Sequence, residues 1–557
     1  MRKVTVLLLT LSIAFCSLSY ISCGNSDDSF YSLENHSADK WVEEGDYVSI
    51  YCSECNELIC KGKPNYDLVF RLNEEETAYS VVGAGKGAEN EVIIVPQTYQ
   101  GLPVTEVRYL SPESYIEWDS IKTKESKIKT VFIPPSVTYL GYFSLCDKLE
   151  TIFISSGVTE MEEDVFKHNN SLKNIFVSNS NPSYKSEGGT LYTKDGSKLI
   201  RYAAKNESTE FTVPNSVTVI ADNAFCDATS LKSVTFGESI KSIGKNAFNG
   251  CSSLEEIEIT DSIVSIGSGA FINCTSLKRV SIGSGVEELG SLAFNGCKSL
   301  ENIAVDQNNL YFSAIDDNLY DKDGATLIRY AIGNTQNSFS IPNGVITIGK
   351  FSFEGAEHLK EIILPETVTT IKSNAFDDCL SLEIIHLPTS LTNIEENAFD
   401  WLTKIKEVHI KSLSSWFEVD CEGLYSSPFC DSADLYVNGE LLEHLDVPSY
   451  ISEIPQHAFS GCQSIKTVTI SGSTQRIGQS AFFGCKSIEV VDMKDGVKQI
   501  EGSAFYGCSS LKEVNIPMSI TYIGNYAFYK CTSLKSLELP YHILVKIDID
   551  RIFSNTP

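Results

Sequence analysis

Residues 248–270 read FNGCSSLEEIEITDSIVSIGSGA, and residues 271–293 repeat the pattern as FINCTSLKRVSIGSGVEELGSLA. The segment Leu254–Ile259 spaces its apolar residues as in a strand with one buried face. The apolar pair in Ile263–Ile266 indicates that the chain then passes the same core a second time. One such copy cannot bury its own apolar face, so neighbouring copies must stack to create a core.

The first phenylalanine of each copy marks the period, and we call it the landmark Phe. It recurs with one constant step within four blocks, and longer gaps run from Phe166 to Phe225, from Phe294 to Phe353 and from Phe399 to Phe459. One repeat period before the phenylalanine that ends each gap, the residue is a tyrosine. Each gap is therefore interpreted as one repeat unit plus a short insertion. The landmark positions are Phe143, Phe166, Phe225, Phe248, Phe271, Phe294, Phe353, Phe376, Phe399, Phe459, Phe482, Phe505 and Phe528, with Tyr202, Tyr330 and Tyr436 in the gaps.

The first two insertions are copies of each other. Leu191–Tyr202 and Leu319–Tyr330 both carry Asp-Gly between apolar runs, which predicts a β-hairpin in each. The period itself falls in the range of leucine-rich repeats. The predicted fold is therefore a β-rich leucine-rich-repeat solenoid of 23-residue coils, with a parallel sheet and β-hairpin insertions.

The unit Phe-x-x-Cys-x-Ser-Leu-Lys-x-Ile-x-Ile-Pro-x-Ser-Val-x-x-Ile-Gly-x-x-Ala resembles the BspA-like, or treponemal-type, leucine-rich repeats. The Leu-Tyr-x-Lys-Asp-Gly-x-x-Leu-Ile-Arg-Tyr islands are also typical of that family. The resemblance covers roughly Val92 to Phe553. It implies a surface lipoprotein, because family members are commonly surface proteins implicated in adhesion to host matrix proteins or to other cells.

The amino terminus predicts export and anchoring. Residues 1–22 have the basic start and short apolar run of a signal peptide, and Cys23 follows a small residue as in a bacterial lipoprotein cleavage site. The alternative is an ordinary secretory signal in which Cys23 is incidental. Residues 23–40 read as the lipid anchor and a flexible tether, 41–91 as an N-terminal β cap, and 92–557 as the solenoid. The expected location is the bacterial outer membrane or cell surface.

Net charge and the motifs that are absent disfavour several classes of function. The formal net charge of −29 disfavours nucleic-acid binding, which needs clustered positive charge. No serine-hydrolase elbow, zinc-protease helix or phosphate-binding loop occurs, so neither catalysis nor a cofactor is expected. The predicted function is adhesin-like binding, by a monomer, of a host or microbial macromolecule such as a host extracellular-matrix or cell-surface protein. The alternatives are capture of a glycan, with Trp416 and the Tyr-rich loops as stacking platforms, and a purely structural surface protein.

Candidate contacts are outward strand residues that are apolar where polar groups are expected, since exposed apolar clusters often mark partners. His386 and His409 take equivalent strand positions one coil apart near Glu361 and Glu407, which indicates either a metal site or a solvated pair. The alternative for the apolar residues is that loops or insertions cover them. The full set of candidates is Phe153, Phe176, Ile363, Ile384, His386, His409 and Val490.

The cysteines fall into two groups. Nine of them stand three residues after a landmark Phe, where burial as small apolar side chains is the favoured interpretation. Cys52, Cys55 and Cys60 form a cluster that is consistent with a disulfide, with reduced thiols, or with zinc and His36 as a further ligand. Cys421 and Cys430 share one loop and are also candidates for a disulfide.

One further column carries alternating charge. The residue after the Leu or Ile that opens each strand is Lys or Glu, and within uninterrupted blocks the sign alternates except between Lys512 and Lys535. Adjacent coils would place these side chains one strand apart. The pattern predicts a ladder of weak ion pairs that helps to hold the coils in register.

Overall fold

The computed structural model describes residues 38–53, 55–110, 126–143, 146–167, 169–423, 425–429, 433–535 and 537–544. The predicted signal peptide, Cys23, most of the tether and Cys430 lie outside the described residues. The chain divides into two compact units, one ending at Asn206 and the other beginning at Glu207. None of the helices in the described part of the chain has the length and apolarity needed to cross a bilayer.

The first unit is built almost wholly of short strands, with one 3₁₀ turn at Gly85–Glu89. The strands are β1 (Ala38–Glu44), β2 (Tyr47–Cys52), β3 (Leu58–Gly62), β4 (Val69–Leu72), β5 (Tyr79–Gly83), β6 (Val92–Ile94), β7 (Thr98–Tyr99), β8 (Leu102–Tyr109), β9 (Thr130–Ile133), β10 (Tyr139–Tyr142), β11 (Thr151–Ile154), β12 (Glu160–Met161), β13 (Asn174–Val177), β14 (Tyr184–Glu187), β15 (Thr190–Thr193) and β16 (Lys198–Arg201).

Each coil of this unit contributes one strand to each of two parallel sheets. One sheet has the order β6-β9-β11-β13, and the other runs through β8, β10 and β12, extended at its end by the β4–β5 hairpin. Side chains such as Val131, Ile152 and Ile175 face inward between them and are fully buried. The antiparallel strands β14, β15 and β16 form the first insertion, with the predicted hairpin turn closed by Gly196 N–H donating to Thr193 O.

A separate antiparallel sheet, β1-β2-β3, covers the outer face of the first coils. Ile50 and Cys52 of this sheet are buried in one cluster with Phe132 and Phe153 of the parallel sheet. The rings of Phe132 and Phe153 stack with their centroids 4.5 Å apart. The amino-terminal residues therefore protect an aromatic surface that would otherwise face water.

The second unit continues the same design with thirty strands and two single-turn helices among its described residues. They are β17 (Glu210–Thr212), β18 (Val219–Ile220), β19 (Ser233–Thr235), β20 (Ser242–Ile243), β21 (Glu256–Ile259), β22 (Ser265–Ile266), β23 (Arg279–Ile282), β24 (Glu288–Leu289), β25 (Asn302–Val305), β26 (Phe312–Ile315), β27 (Asn318–Asp321), β28 (Thr326–Arg329), β29 (Ser338–Ser340), β30 (Thr347–Ile348), β31 (Glu361–Ile363), β32 (Thr370–Ile371), β33 (Ile384–His386), β34 (Asn393–Ile394), β35 (Glu407–Ile410), α1 (Leu413–Trp416), β36 (Asp420–Cys421), β37 (Asp434–Val437), β38 (Glu440–Leu441), β39 (His444–Val447), β40 (Glu453–Ile454), β41 (Thr467–Ile470), β42 (Arg476–Ile477), β43 (Val490–Met493), β44 (Gln499–Ile500), β45 (Glu513–Asn515), β46 (Tyr522–Ile523) and α2 (Tyr541–Leu544).

The parallel sheets of this unit keep the register of the repeat. Ile257 of β21 pairs with Val280 of β23, and Ile385 of β33 pairs with Val408 of β35. The third insertion interrupts the array: the sheets that end at β36 and at β38 give way to new sheets that begin with β40 and β39. The predicted solenoid, with its parallel sheets and hairpin insertions, is confirmed.

The landmark Phe residues form stacks along the core. The centroids of Phe248 and Phe271 are 5.0 Å apart, and those of Phe376 and Phe399 are 5.2 Å apart with the rings 1° from parallel. Tyr330 takes the landmark position as predicted and stacks 5.0 Å from Phe353. These spacings are close to the ~4.8 Å between adjacent strands, so the stacking of the rings follows from the pairing of the strands.

The cysteines after the landmark residues bind the coils together. The thiol of Cys251 donates to Phe225 O at 3.1 Å, and that of Cys379 donates to Phe353 O at 3.2 Å, so each reaches the preceding coil. Both side chains are fully buried. Asn169 replaces the cysteine in its coil and donates from Nδ2 to Phe143 O at 2.9 Å, which preserves the contact.

The residue two positions before each landmark Phe adopts a left-handed conformation in the second unit. Asn fits this position well, as at Asn246 with φ 52°, because Asn tolerates the left-handed region. Leu292 has φ 63°, Phe351 has φ 57° and Tyr526 has φ 59° at the same place. These three side chains cannot form a compensating local hydrogen bond of the Asn type, so their backbones are strained.

Candidate binding face

The outward side of the sheet from β29 to β38 carries most of the predicted contact residues. Parallel register aligns Ile363 with His386, His386 with His409, and His409 with Tyr436. We call this row of four side chains the His–Tyr column. Alternation along a strand points its members away from the core, because Ile362, Ile385 and Val408 between them point inward and are buried.

The rings of the column are stacked. The centroids of His386 and His409 are 4.5 Å apart with 24° between planes, and those of His409 and Tyr436 are 4.7 Å apart with 17° between planes. Ile363 continues the row and is 37% exposed. The result is a continuous strip of ring edges and one aliphatic side chain on a partly exposed surface.

A parallel row of acidic residues lies beside the column. Register aligns Glu361, Ile384, Glu407 and Asp434, and Ile384 places an apolar side chain among the carboxylates. Glu361 Oε1 lies 3.1 Å from His386 Nε2, and Glu407 Oε2 lies 2.8 Å from His409 Nε2. Each imidazole is therefore oriented by its own carboxylate.

The electrostatics of the strip are negative. Partial burial, and then the charge of Glu407, raise the pKa of the Asp434 carboxyl. The same causes, with the charge of Asp434 added, raise the pKa of Tyr436. Within the described ranges, no cluster of three or more His, Cys, Asp or Glu side chains is arranged to hold a metal ion. The arrangement presents apolar rings and carboxylates to a partner.

Val490 lies apart from this face. It stands on β43, between Thr467 and Glu513 in the register of a different sheet, and is half-buried. Its neighbours are polar, so Val490 does not extend the His–Tyr column.

Two predicted aromatic contacts are not available. Phe153 is only 2% exposed, because the β1-β2-β3 sheet packs over it. Phe176, whose ring centroid lies 5.0 Å from that of Phe153, is half-buried at the border of that cluster and is only partly accessible. Trp416 is 3% exposed and its indole N–H donates to Ala458 O at 3.0 Å, so it is a core residue and not a stacking platform. Covering by other elements is the cause in both places.

The third insertion also differs from the expected landmark pattern. Tyr436 lies on the outward face of β37, so the landmark position that the repeat period assigned to it in the core is wrong. Phe417 reaches the stack instead and packs edge-on to Phe459 with centroids 5.7 Å apart. The sequence signal for this strand is Asn438-Gly439, a typical hairpin turn directly after Leu435-Tyr436-Val437.

The second group of cysteines has a different environment at each position. Cys60 is disulfide-bonded, and the thiol of Cys55 donates to Glu57 Oε2 at 3.7 Å. Cys421 is a fully buried thiol on β36, and the predicted bond from Cys421 to Cys430 is therefore not formed. Burial raises the pKa of Cys421 to about 12.

Comparison with known proteins agrees with this architecture. The chain matches the BspA type Leucine rich repeat region in six copies, over residues 97–187, 201–322, 330–421 and 432–556. None of the curated proteins matches it.

Several solved structures are similar. A leucine rich cell surface protein from Faecalibacterium prausnitzii is 19% identical, with a TM-score of 0.35, and the match covers 90% of this chain and 99% of that one. A leucine-rich repeat protein from Eubacterium ventriosum is 18% identical, with a TM-score of 0.34 and coverage of 86% and 90%. The pneumococcal vaccine antigen PcpA is 17% identical, with a TM-score of 0.32 and coverage of 93% and 98%. Because the repeat region spans most of its length, the chain belongs to the BspA-type leucine-rich repeat family.

Proposed function

We propose that this protein is a lipid-anchored, adhesin-like surface protein that binds a protein partner through the His–Tyr column. BspA-type leucine-rich repeat proteins are typically surface proteins and typically non-enzymatic, which supports a binding role. The observation that carries the proposal is the stack of His386, His409 and Tyr436, beside Ile363, on an outward strand face. Exposed strips of this kind are depleted on ordinary surfaces and enriched at interfaces.

The chemistry of the strip defines the partner. Glu361, Glu407 and Asp434 flank the rings, so a matching surface places an apolar or aromatic side chain against the column and Lys or Arg against the carboxylates. The net charge of −29 favours a basic partner at long range and makes association faster at low salt. A host extracellular-matrix or cell-surface protein with a basic patch meets these requirements.

The test is binding of the full chain to immobilised fibronectin, laminin and collagen, measured by surface plasmon resonance. His409→Ala removes the centre of the stack and should weaken binding roughly tenfold or more, as truncation at an interface centre does. His444→Ala is the matched control. His444 is also an exposed strand histidine, but it is hydrogen-bonded to Thr467 of its own sheet, which is not the sheet that carries the His–Tyr column. Binding that survives His409→Ala, or is equally lost in His444→Ala, would exclude the column as the binding site.

The anchor has its own test. Cys23→Ser should leave an unlipidated protein that moves to the aqueous phase on detergent partition, because acyl chains supply the membrane affinity. Unchanged membrane association of the variant would remove the lipid anchor from the proposal while leaving the binding face untouched.

A further inference from the structure

A cleft opens in the second unit where the third insertion breaks the array. Strand β36 is the last strand of one sheet and β40 the first of another, and the two are not paired. The space at this break has a volume of about 470 Å³ and is lined by residues 417–420 and 450–453 together with Pro455, Gln456 and Arg476. That volume is within the ~300–1,000 Å³ of typical small-molecule sites.

The accessible lining of the cleft is mainly polar, with three buried apolar side chains behind it and one exposed aromatic side chain. Phe417, Val419 and Ile451 line it and are themselves buried. Tyr450 stands at the edge with 65% of its surface exposed, and its hydroxyl is hydrogen-bonded to Ser414 Oγ. The hydrogen bond to Ser414 holds the exposed phenol ring in place beside the cleft.

The polar groups of the cleft carry both signs of charge. Glu418 and Asp420 contribute carboxylates, and Gln456 Nε2 lies 3.5 Å from Asp420 Oδ1. Arg476 Nε donates to Glu501 Oε1 at 2.9 Å and Nη1 donates to Glu453. Hydrogen bonding to Glu501, and then the charge of Glu453, raise the pKa of Arg476 and hold its guanidinium in a fixed plane.

We infer that this cleft binds a neutral oligosaccharide, with one sugar ring stacked on Tyr450. Hydroxyl groups both donate and accept, so they can satisfy Asp420 and Gln456 on one side and Arg476 on the other. An anionic ligand meets the carboxylates of Glu418, Asp420 and Glu453, and a cationic one meets Arg476. The apolar face of a sugar ring matches the exposed phenol of Tyr450.

This site is independent of the His–Tyr column, which lies on a different sheet of the unit. Within this site Tyr450, and not the predicted Trp416, is the aromatic platform for a glycan. The buried indole of Trp416 supports α1 beside the cleft, and the exposed ring is that of Tyr450.

The experiment is an array of neutral oligosaccharides built from glucose, galactose, mannose and N-acetylglucosamine, printed beside sialylated and sulfated forms and probed with the full chain. The strongest neutral binder is then titrated by calorimetry against the native protein and three variants. Tyr450→Ala and Asp420→Asn should each weaken binding roughly tenfold, since each removes one directional contact. Tyr522→Ala is the control, because Tyr522 is 48% exposed on β46 and does not line the cleft.

The site is supported if Tyr522→Ala binds with native affinity and both cleft variants bind more weakly. Absence of any neutral binder at millimolar concentration overturns it. Preference for the sialylated or sulfated forms, or equal affinity in Tyr450→Ala and native protein, also overturns it. Circular dichroism melts of the variants separate loss of the contact from loss of the fold.

Discussion

Lys512 Nζ lies 2.8 Å from Glu489 Oε2 on the preceding coil, and the backbone N–H of Lys512 donates to the carbonyl of Glu489 at the same distance. The relationship recurs at 2.9 Å between Lys173 and Glu150. It also recurs at 2.7 Å between Lys406 and Glu383. In each pair the lysine belongs to the later coil and reaches back to the earlier one. The charge column therefore forms separate ion pairs at these steps. In the described coils from 232 to 301, no ion pair joins Lys232, Glu255, Lys278 and Glu301, so the ladder is discontinuous.

The ladder predicts opposite effects for two charge reversals. Glu489→Lys places three lysines in succession from Lys466 to Lys512 and should lower the thermal midpoint slightly. Lys535→Glu converts the like-charged step beside Lys512 into an opposite-charged one and should raise the midpoint slightly. Both effects should shrink at high salt, because exposed ion pairs are screened. Thermal melts at low and high salt provide the measurement, and shifts of the same sign in both variants would contradict the ladder.

The strained positions before the landmark residues predict a stabilising substitution. Leu292→Asn should raise the free energy of unfolding by about 0.5–1 kcal/mol, because Asn adopts the left-handed conformation at lower cost. Asn246→Leu is the reciprocal variant and should lower it by a similar amount. Denaturant melts of both test the expectation, which fails if Leu292→Asn is neutral while Asn246→Leu is destabilising.

The buried thiols should resist alkylation in the native protein. Burial raises the pKa of Cys379 and of Cys531 to about 12, so neither is a thiolate at pH 8. Cys55 is exposed and should react first with iodoacetamide. Mass spectrometry after a short exposure should find label on Cys55 and none on Cys379 or Cys531. Labelling of all of them in the denatured, reduced protein is the control, and rapid native labelling of Cys379 would contradict its burial.

Glu366 predicts a pH-dependent contribution to stability. Its carboxylate accepts from Lys411 Nζ at 2.6 Å and from Thr389 Oγ1 and N at 2.6 and 2.9 Å, which joins three successive coils. These bonds lower its pKa from 4.5 to about 2. A carboxyl whose pKa is lowered in the folded state stabilises the fold above pH 4.5, and this stabilisation is lost as the pH falls toward 2.

Glu366→Gln should therefore cost about 1 kcal/mol at pH 7, a modest figure because the carboxylate is 44% exposed. The difference from the native protein should disappear as the pH approaches 2. Lys411→Met should show a smaller loss with the same pH dependence. Urea melts at pH 7, 4 and 2.5 give the measurement, and a constant difference across this range would show that the charge of Glu366 plays no part.

The repeat was predictable because one period controls many contacts. Equal spacing of Phe248 and Phe271, combined with parallel pairing, is enough to place their rings in one stack. The same period predicts that His386 and His409 are neighbours, and their rings stack. Asp323-Gly324 likewise marked the turn of the second insertion, where Gly324 N–H donates to Asp321 O.

The period of the repeat could not predict the contacts between the repeat coils and segments that do not repeat. The cover over Phe153 depends on Ile50 and Cys52, which are distant in sequence and carry no repeat signal. Trp416 is buried because a single helical turn directs it into the core, and neither its neighbours nor its spacing indicate that turn. The cleft beside Tyr450 arises from the failure of two sheets to join, which is a tertiary event.

The thiol-to-carbonyl contacts between coils have an evolutionary consequence. Successive coils with this cysteine use the same bond to the coil before them, as Cys274 does to Phe248 O at 3.1 Å and Cys297 to Phe271 O at 3.1 Å. Removal of residues 249–271 would join Phe248 to Ile272 and would present Cys274 with an equivalent partner, the carbonyl of Phe225. Gene duplication or loss in steps of one unit can thus lengthen or shorten the solenoid without a new kind of interface between coils, and each added coil contributes one more interface to the stability.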